Sequence, residues 1–130
     1  MMENIIITGG SGTIGTAIIA ELIDDYEIFN LDSEKLDTRL IGKTGNHVHE
    51  IEVDVTDAEQ LVNLRKNGII PNNINHIITV AGGMLLAEWD DFTNVSLDTY
   101  KKSVDVNLFG HLNIIHTFFP CLRNASGKKA

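Results

Sequence analysis

The stretch Thr8-Gly9-Gly10-Ser11-Gly12-Thr13-Ile14-Gly15 decides the fold, with four glycines in eight residues. Before it, Asn4-Ile5-Ile6-Ile7-Thr8 is a short apolar run rich in β-branched residues, the pattern of a strand buried on both faces. After it the period changes, and Ile14, Ala17, Ile18 and Leu22 recur at helical spacing. A turn this tight needs glycine where the backbone takes positive φ or approaches a ligand closely. The helix that follows offers its free amides and positive dipole end to a phosphate. Gly15 has a separate role: without a side chain there, the helix lies close against the strand.

Outward from this turn, strand and helix patterns alternate. Tyr26 to Leu31 reads as a second strand closed by Asp32-Ser33, Asp37 to Leu40 as a short helical turn, and Gly42 to Gly45 as a turn. Val48 to Val55 alternates apolar and polar residues and reads as a third strand. Thr56 and Glu59 are spaced as a capping box for a helix running to about Asn67, with Gly68 as its stop. Ile74 to Val80 is a fourth strand, followed by Ala81-Gly82-Gly83. A second long helix begins near Leu97 or Asp98, carries Val104, Leu108, Leu112, Ile115 and Phe119 on one face, and is expected to end at Pro120. This order predicts an α/β fold, a doubly wound parallel sheet with strand order 3-2-1-4, in a single domain over residues 1–130. The polar tail Asn124 to Ala130 is expected to fray.

Composition narrows the function. The chain has 130 residues, 43% of them hydrophobic and 22% charged, as in an ordinary globular protein. Its net charge of -8 disfavours nucleic acid and anionic membrane, which are held mainly by cationic side chains. An anionic ligand must instead be held by local backbone dipoles. Cys121 is the only cysteine, which fits a reducing compartment, and no apolar run approaches membrane-spanning length. The expected location is the cytoplasm.

Gly10, Gly12 and Gly15 satisfy G-x-G-x-x-G, and Thr8, Gly9, Gly12 and Gly15 satisfy T-G-x-x-G-x-x-G. Strand before, helix after and an acid roughly 20 residues on make this the fingerprint of a dinucleotide site. The acid is Asp32, at the carboxyl end of the second strand. It can accept both ribose hydroxyl hydrogen bonds, and its charge repels a 2′-phosphate. Ser33 and Glu34 follow rather than Arg or Lys, so NAD is expected in preference to NADP.

From Ile5 to about Leu122 the chain resembles the short-chain dehydrogenase/reductase family, whose core is a Rossmann fold. The resemblance rests on the Thr8–Gly15 turn, Asp32, Asp54-Val55, and Asp105-Val-Asn-Leu-Phe-Gly110. It implies an NAD(P)-dependent oxidoreductase in which Gly9, Ser11, Gly12, Thr13, Ile14 and Gly15 hold the pyrophosphate. Asp54 and Val55 would contact the adenine, and Ala81 and Gly82 would line the cofactor cleft. Asn107 would support the catalytic group through a bound water. An Asn in mid-helix is a poor helix former and needs a polar reason to be there.

The departures are as informative. Thr13 stands where the compact branch of the family has Gly, and Thr79-Val80-Ala81-Gly82 replaces the family's Asn-Asn-Ala-Gly. The resemblance also calls for a Ser after a fifth strand and for Tyr-x-x-x-Lys. Tyr26 is followed four residues on by Asn30, and Tyr100 by Val104, so neither fits. The reading is therefore the cofactor-binding portion of such an enzyme, truncated before its catalytic half and its carbonyl or alcohol substrate site. Two alternatives stay open: a stand-alone NAD(H)-binding module without turnover, and an interaction protein that has lost its ligand. Helix 98–119, with Leu108, Leu112 and Ile115 exposed, would then serve as a homo-oligomer interface.

Other signals are read as structural. His47 and His49 share a strand face without a third metal ligand nearby in sequence, and His111 and His116 are spaced wrongly for a helical pair. Cys121 has only Arg123 as a cationic neighbour and is read as a structural or exposed thiol. Trp89 lies in the loop after the fourth strand, where capping the core edge and touching a partner are both open.

Overall fold

The computed structural model describes residues 1–41, 47–83 and 91–130. Strands and helices alternate as β1 Glu3–Thr8, α1 Thr13–Leu22, β2 Tyr26–Asp32, α2 Thr38–Ile41, β3 Val48–Glu52, α3 Ala58–Lys66 and β4 His76–Thr79. A long helical run follows, made of α4 Leu97–Val104, a π-helical turn Asp105–Phe109 and α5 Gly110–Asn124. The sheet has the order β3-β2-β1-β4 and all its pairs are parallel, as expected. The Gly42 to Gly45 turn and Trp89 lie outside the described residues.

Side chains alternate across a strand, so a run that is apolar throughout must feed two cores. On one face Ile6, Phe29 and Leu31 pack against Leu61 of α3 and Ile114 and Phe118 of α5. On the other, Ile5, Ile7 and Ile28 pack against Ile19 and Ile23, in and just after α1. Each fully buried side chain of this size contributes about 1.5–3 kcal/mol, so the two layers clamp β1 and β2 from both sides.

Five local expectations need correction. The tail does not fray: the Ala130 amide donates to the Asn75 carbonyl at 3.0 Å, the Ala130 carbonyl accepts the Ile77 amide at 2.8 Å, and Ala125 is buried. The buried face of α1 is Gly15, Thr16 and Ile19, whereas Ile14 is 67% exposed. Gly15 sits against the backbone of Gly9 and Gly10, and that contact rotates the helix and turns Ile14 outward. The cap of α3 is Asp57, which accepts the Gln60 amide at 3.0 Å, because Thr56 is already held by Asp54. Pro120 lies inside α5 rather than at its end. The next turn is held by Cys121, which is buried and whose carbonyl accepts the Ile74 amide at 3.2 Å, so tertiary packing overrides the break. Finally, β3 and β4 are shorter at their ends than Val48 to Val55 and Ile74 to Val80, although the Val53 and Val80 amides still bond to β2 and β1.

The apolar stripe Val104, Leu108, Leu112, Ile115 and Phe119 is about half exposed, and the core is filled instead by Ile114, Thr117, Phe118 and Cys121. Gly68 takes positive φ just past α3, the stop its sequence position implies.

Candidate functional site

Parallel pairing brings the carboxyl ends of all four strands to one edge of the sheet, where open α/β folds bind ligands. A cleft of about 500 Å³ opens there. Every residue expected to hold the cofactor lines it: Gly9, Ser11, Gly12, Thr13, Ile14 and Gly15 from the turn, Asp32 from β2, Asp54 and Val55 after β3, and Ala81 and Gly82 after β4. Leu31, Ser33, Glu34, Val53, Val80 and Val106 complete its wall.

The turn is packed as its glycines require. Gly9 has φ +71°, and a Cβ there would stand 2.6 Å from the backbone of Ala81. A Cβ on Gly15 would strike the Gly9 carbonyl. Thr8 Oγ1 accepts the amides of Val80 and Ala81, both at 3.2 Å, and so ties the end of β4 to the start of the turn.

The amides of the turn divide into two groups. Those of Gly9, Gly10, Ser11 and Gly12 donate within the protein, to the Leu31 carbonyl, Asn30 Oδ1, Asp32 Oδ2 and the Gly9 carbonyl. Those of Thr13, Ile14 and Gly15, the first turn of α1, make no hydrogen bond among the described residues. These free donors lie at the positive end of the helix dipole, the arrangement by which helix N-termini take anions in general.

Around these amides the acids are held in place. Asp32 accepts the Ser11 amide on one oxygen and the Glu34 amide on the other, each at 2.9 Å, leaving lone pairs on both for a further donor. Asp54 Oδ1 accepts the amide and hydroxyl of Thr56. The Val55 carbonyl accepts Asn113 Nδ2 at 3.0 Å, and Gly110 leaves room for the Val55 side chain. A smaller recess of about 170 Å³ adjoins Asp32 and Glu34 and is lined by Glu50 and Glu52 against a single Lys35.

Asn107 stands apart from the cleft wall. Its Oδ1 accepts the Gly83 amide at 2.9 Å, and its Nδ2 donates to the carbonyls of Gly83 and Ser103. The residue lies in the π-helical turn, a local widening found often at functional sites. It anchors the segment leaving β4 to the long helix.

Three contributors were not anticipated. Asn30 is buried at the centre of β2 and holds Gly10; Asn113 holds Val55; Thr16 donates to the Gly10 carbonyl at 3.1 Å. A low-propensity Asn inside the apolar run Phe29-Asn30-Leu31 is the one signal that pointed to any of them. His47 and His49 both reach Glu27, and His49 stacks on Phe29. Burial pushes the Cys121 thiol up from its ordinary pKa, which suits packing rather than nucleophilic attack. Among the described residues no group of three or more His, Cys, Asp or Glu is arranged to hold a metal ion, and no helix is long and apolar enough to cross a membrane.

A model of the family described as short chain dehydrogenase matches residues 3–129. This chain belongs to the short-chain dehydrogenase family. An uncharacterized oxidoreductase of Saccharomyces cerevisiae is 30% identical to it over 119 residues, 89% of this chain and 35% of that protein. Among solved structures, a short-chain dehydrogenase from Leptospira borgpetersenii with bound NAD+ superposes with a TM-score of 0.72 at 24% identity, covering 92% of this chain and 45% of that one. The protein ElxO with NADP bound gives 0.74 at 22% identity, covering 90% and 49%. The chain thus spans about a third of the curated relative and under half of these solved chains. The family is one of NAD(P)-binding oxidoreductases, and of these two structural neighbours one holds NAD+ and the other NADP.

Proposed function

We propose that this short-chain dehydrogenase chain binds NAD(H) in the cleft and forms the cofactor-binding portion of an NAD-dependent oxidoreductase. The observation that carries the reading is the set of unused amides at Thr13, Ile14 and Gly15, set between the Asp32 carboxylate and Asp54-Val55. The amides and helix dipole take the pyrophosphate, Asp32 takes the adenosine ribose hydroxyls, and Asp54 with Val55 borders the adenine. Ala81 and Gly82 border the nicotinamide side. Bound NAD supplies a hydride acceptor, and everything else here is binding and orientation. The acidic recess formed by Asp32, Glu34, Glu50 and Glu52 favours NAD over NADP, since a 2′-phosphate would meet like charge there.

Asn107 is in this reading a positioning residue that holds Gly83 beside the cofactor cleft. No tyrosine in the 130 residues is followed by Lys at the fourth position, so turnover of a carbonyl or alcohol requires catalytic residues from outside them. The buried lone thiol fits a cytoplasmic setting. The half-exposed stripe of the long helix fits a homo-oligomer, which a sedimentation measurement showing only monomer would rule out.

Titration with NADH and NADPH, followed by nicotinamide fluorescence, tests the main claim. Saturable enhancement with NADH, and a markedly weaker response with NADPH, is the expected result. No response to either removes the reading, and equal or stronger NADPH binding removes the NAD preference alone.

A further inference from the structure

We propose that Asn30 is a positioning residue that sets the phosphate-binding turn and the Asp32 carboxylate in one rigid frame. The proposal rests on the reading of the cleft as a dinucleotide site and names what holds that site in shape.

Asn30 is 1% exposed in the middle of β2. Its backbone is already paired on both sides, opposite Ile7 of β1 and Glu50 of β3, so the sheet does not need its side chain. A buried side-chain amide is unfavourable unless it is hydrogen-bonded, and this one lies between the turn and the recess lined by Asp32, Glu34, Glu50 and Glu52. The amide is spent on the turn. Oδ1 accepts the Gly10 amide at 3.0 Å and Nδ2 donates to Ser11 Oγ at 3.2 Å. A Cβ on Gly10 would strike Asn30 Oδ1, so the second glycine of the turn is shaped to this contact.

The connection continues outward. The Ser11 hydroxyl donates to the Glu34 carbonyl at 2.8 Å, the Ser11 amide donates to Asp32, and the Glu34 amide donates to the other Asp32 oxygen. Asn30, Ser11, Asp32 and Glu34 thus form one closed lattice, with its only buried side-chain amide at Asn30. A dinucleotide must meet the turn and Asp32 at once. Their separation therefore decides affinity, and fixing it in advance removes an ordering cost from binding.

Calorimetric titration with NAD+, with thermal melting beside it, separates positioning from general stability. Asn30→Leu keeps the core filled but orphans the Gly10 amide and removes the hydrogen bond that Ser11 Oγ accepts, leaving Ser11 held only through its donation to Glu34. It is expected to fold and to bind NAD+ about tenfold more weakly or worse. Asn30→Asp supplies a pH-dependent rescue. Protonated, its carboxyl accepts from Gly10 and donates to Ser11 as the amide does; ionised, it loses the donor and repels Asp32. Relative to the native chain, its affinity should recover as pH falls from about 8 to about 5, while Asn30→Leu shows no such recovery. Ser11→Ala, at the solvent edge, breaks the same lattice without touching the core and should weaken binding several-fold.

Native-like NAD+ affinity in Asn30→Leu or in Ser11→Ala, or the lack of recovery in Asn30→Asp, would overturn the assignment. Failure of the native chain itself to bind NAD+ would overturn the reading of the cleft, a distinguishable result.

Discussion

The two ends of the sheet are both polar, but they use polarity differently. At the amino end the polar groups satisfy one another. Asn75 accepts the Asn4 amide and donates to the Ser126 carbonyl, His76 meets Glu3 at 2.9 Å, and Glu27 bridges His47 and His49. At the carboxyl end, glycines strip side chains away, and three consecutive amides point toward a cleft with no protein partner among the described residues. The difference teaches where binding capacity comes from. Satisfied polar groups close a surface, whereas oriented donors left over by close packing hold a ligand.

If this contrast is right, substitutions at the two ends separate stability from binding. The largest effect is expected from Gly15→Val, whose side chain would overlap the Gly9 carbonyl. Urea denaturation should show a loss of about 3 kcal/mol, and NADH binding should disappear with it. Asn75→Ala removes two amino-end hydrogen bonds and should cost about 2 kcal/mol by the same assay. The affinity of the folded fraction for NADH should stay unchanged, and a loss of affinity there would break the contrast.

At the carboxyl end, Asp32→Asn keeps one acceptor oxygen but removes the charge. The NADPH-to-NADH affinity ratio is expected to rise about tenfold, corresponding to about 1.4 kcal/mol. The smallest effect belongs to Glu27. Hydrogen bonds from His49 and then His47 hold its carboxyl below the ordinary value of 4.5. A lowered carboxylate contributes stability above that value and loses it as pH falls through the folded-state value. The native chain should therefore exceed Glu27→Gln by no more than about 1 kcal/mol near neutrality, and the margin should vanish on acidification.

Much of this contrast is legible in the residues. The parallel α/β alternation and the Gly9–Gly15 turn with Asp32 follow from local signals: continuous apolar runs, helical spacing and glycines flanked by both. Asp54, Val55, Ala81 and Gly82 are reached only through the family resemblance. What escapes such reading depends on neighbours distant in the chain. Asn30 looks like a misplaced residue until β1 brings Gly10 beside it, and Asn113 until α5 packs over Val55. Thr56 reads as a cap because its spacing to Glu59 is right, yet Asp54 competes for it at 2.7 Å. Pro120 reads as a stop, and only the burial of Cys121 shows why the helix continues past it. The widened turn at Asp105–Phe109 is marked only by Asn107, a poor helix former, and that residue signals a polar partner rather than the widening itself.

The most direct test is an amide-resolved NMR titration of the chain with NAD+. The account predicts that the largest shift changes fall on the amides of Thr13, Ile14 and Gly15, with smaller ones at Ser11 and Glu34 and none at Asn75 or His76. Shifts concentrated at the amino end of the sheet, or no saturable shift in the turn, would contradict it.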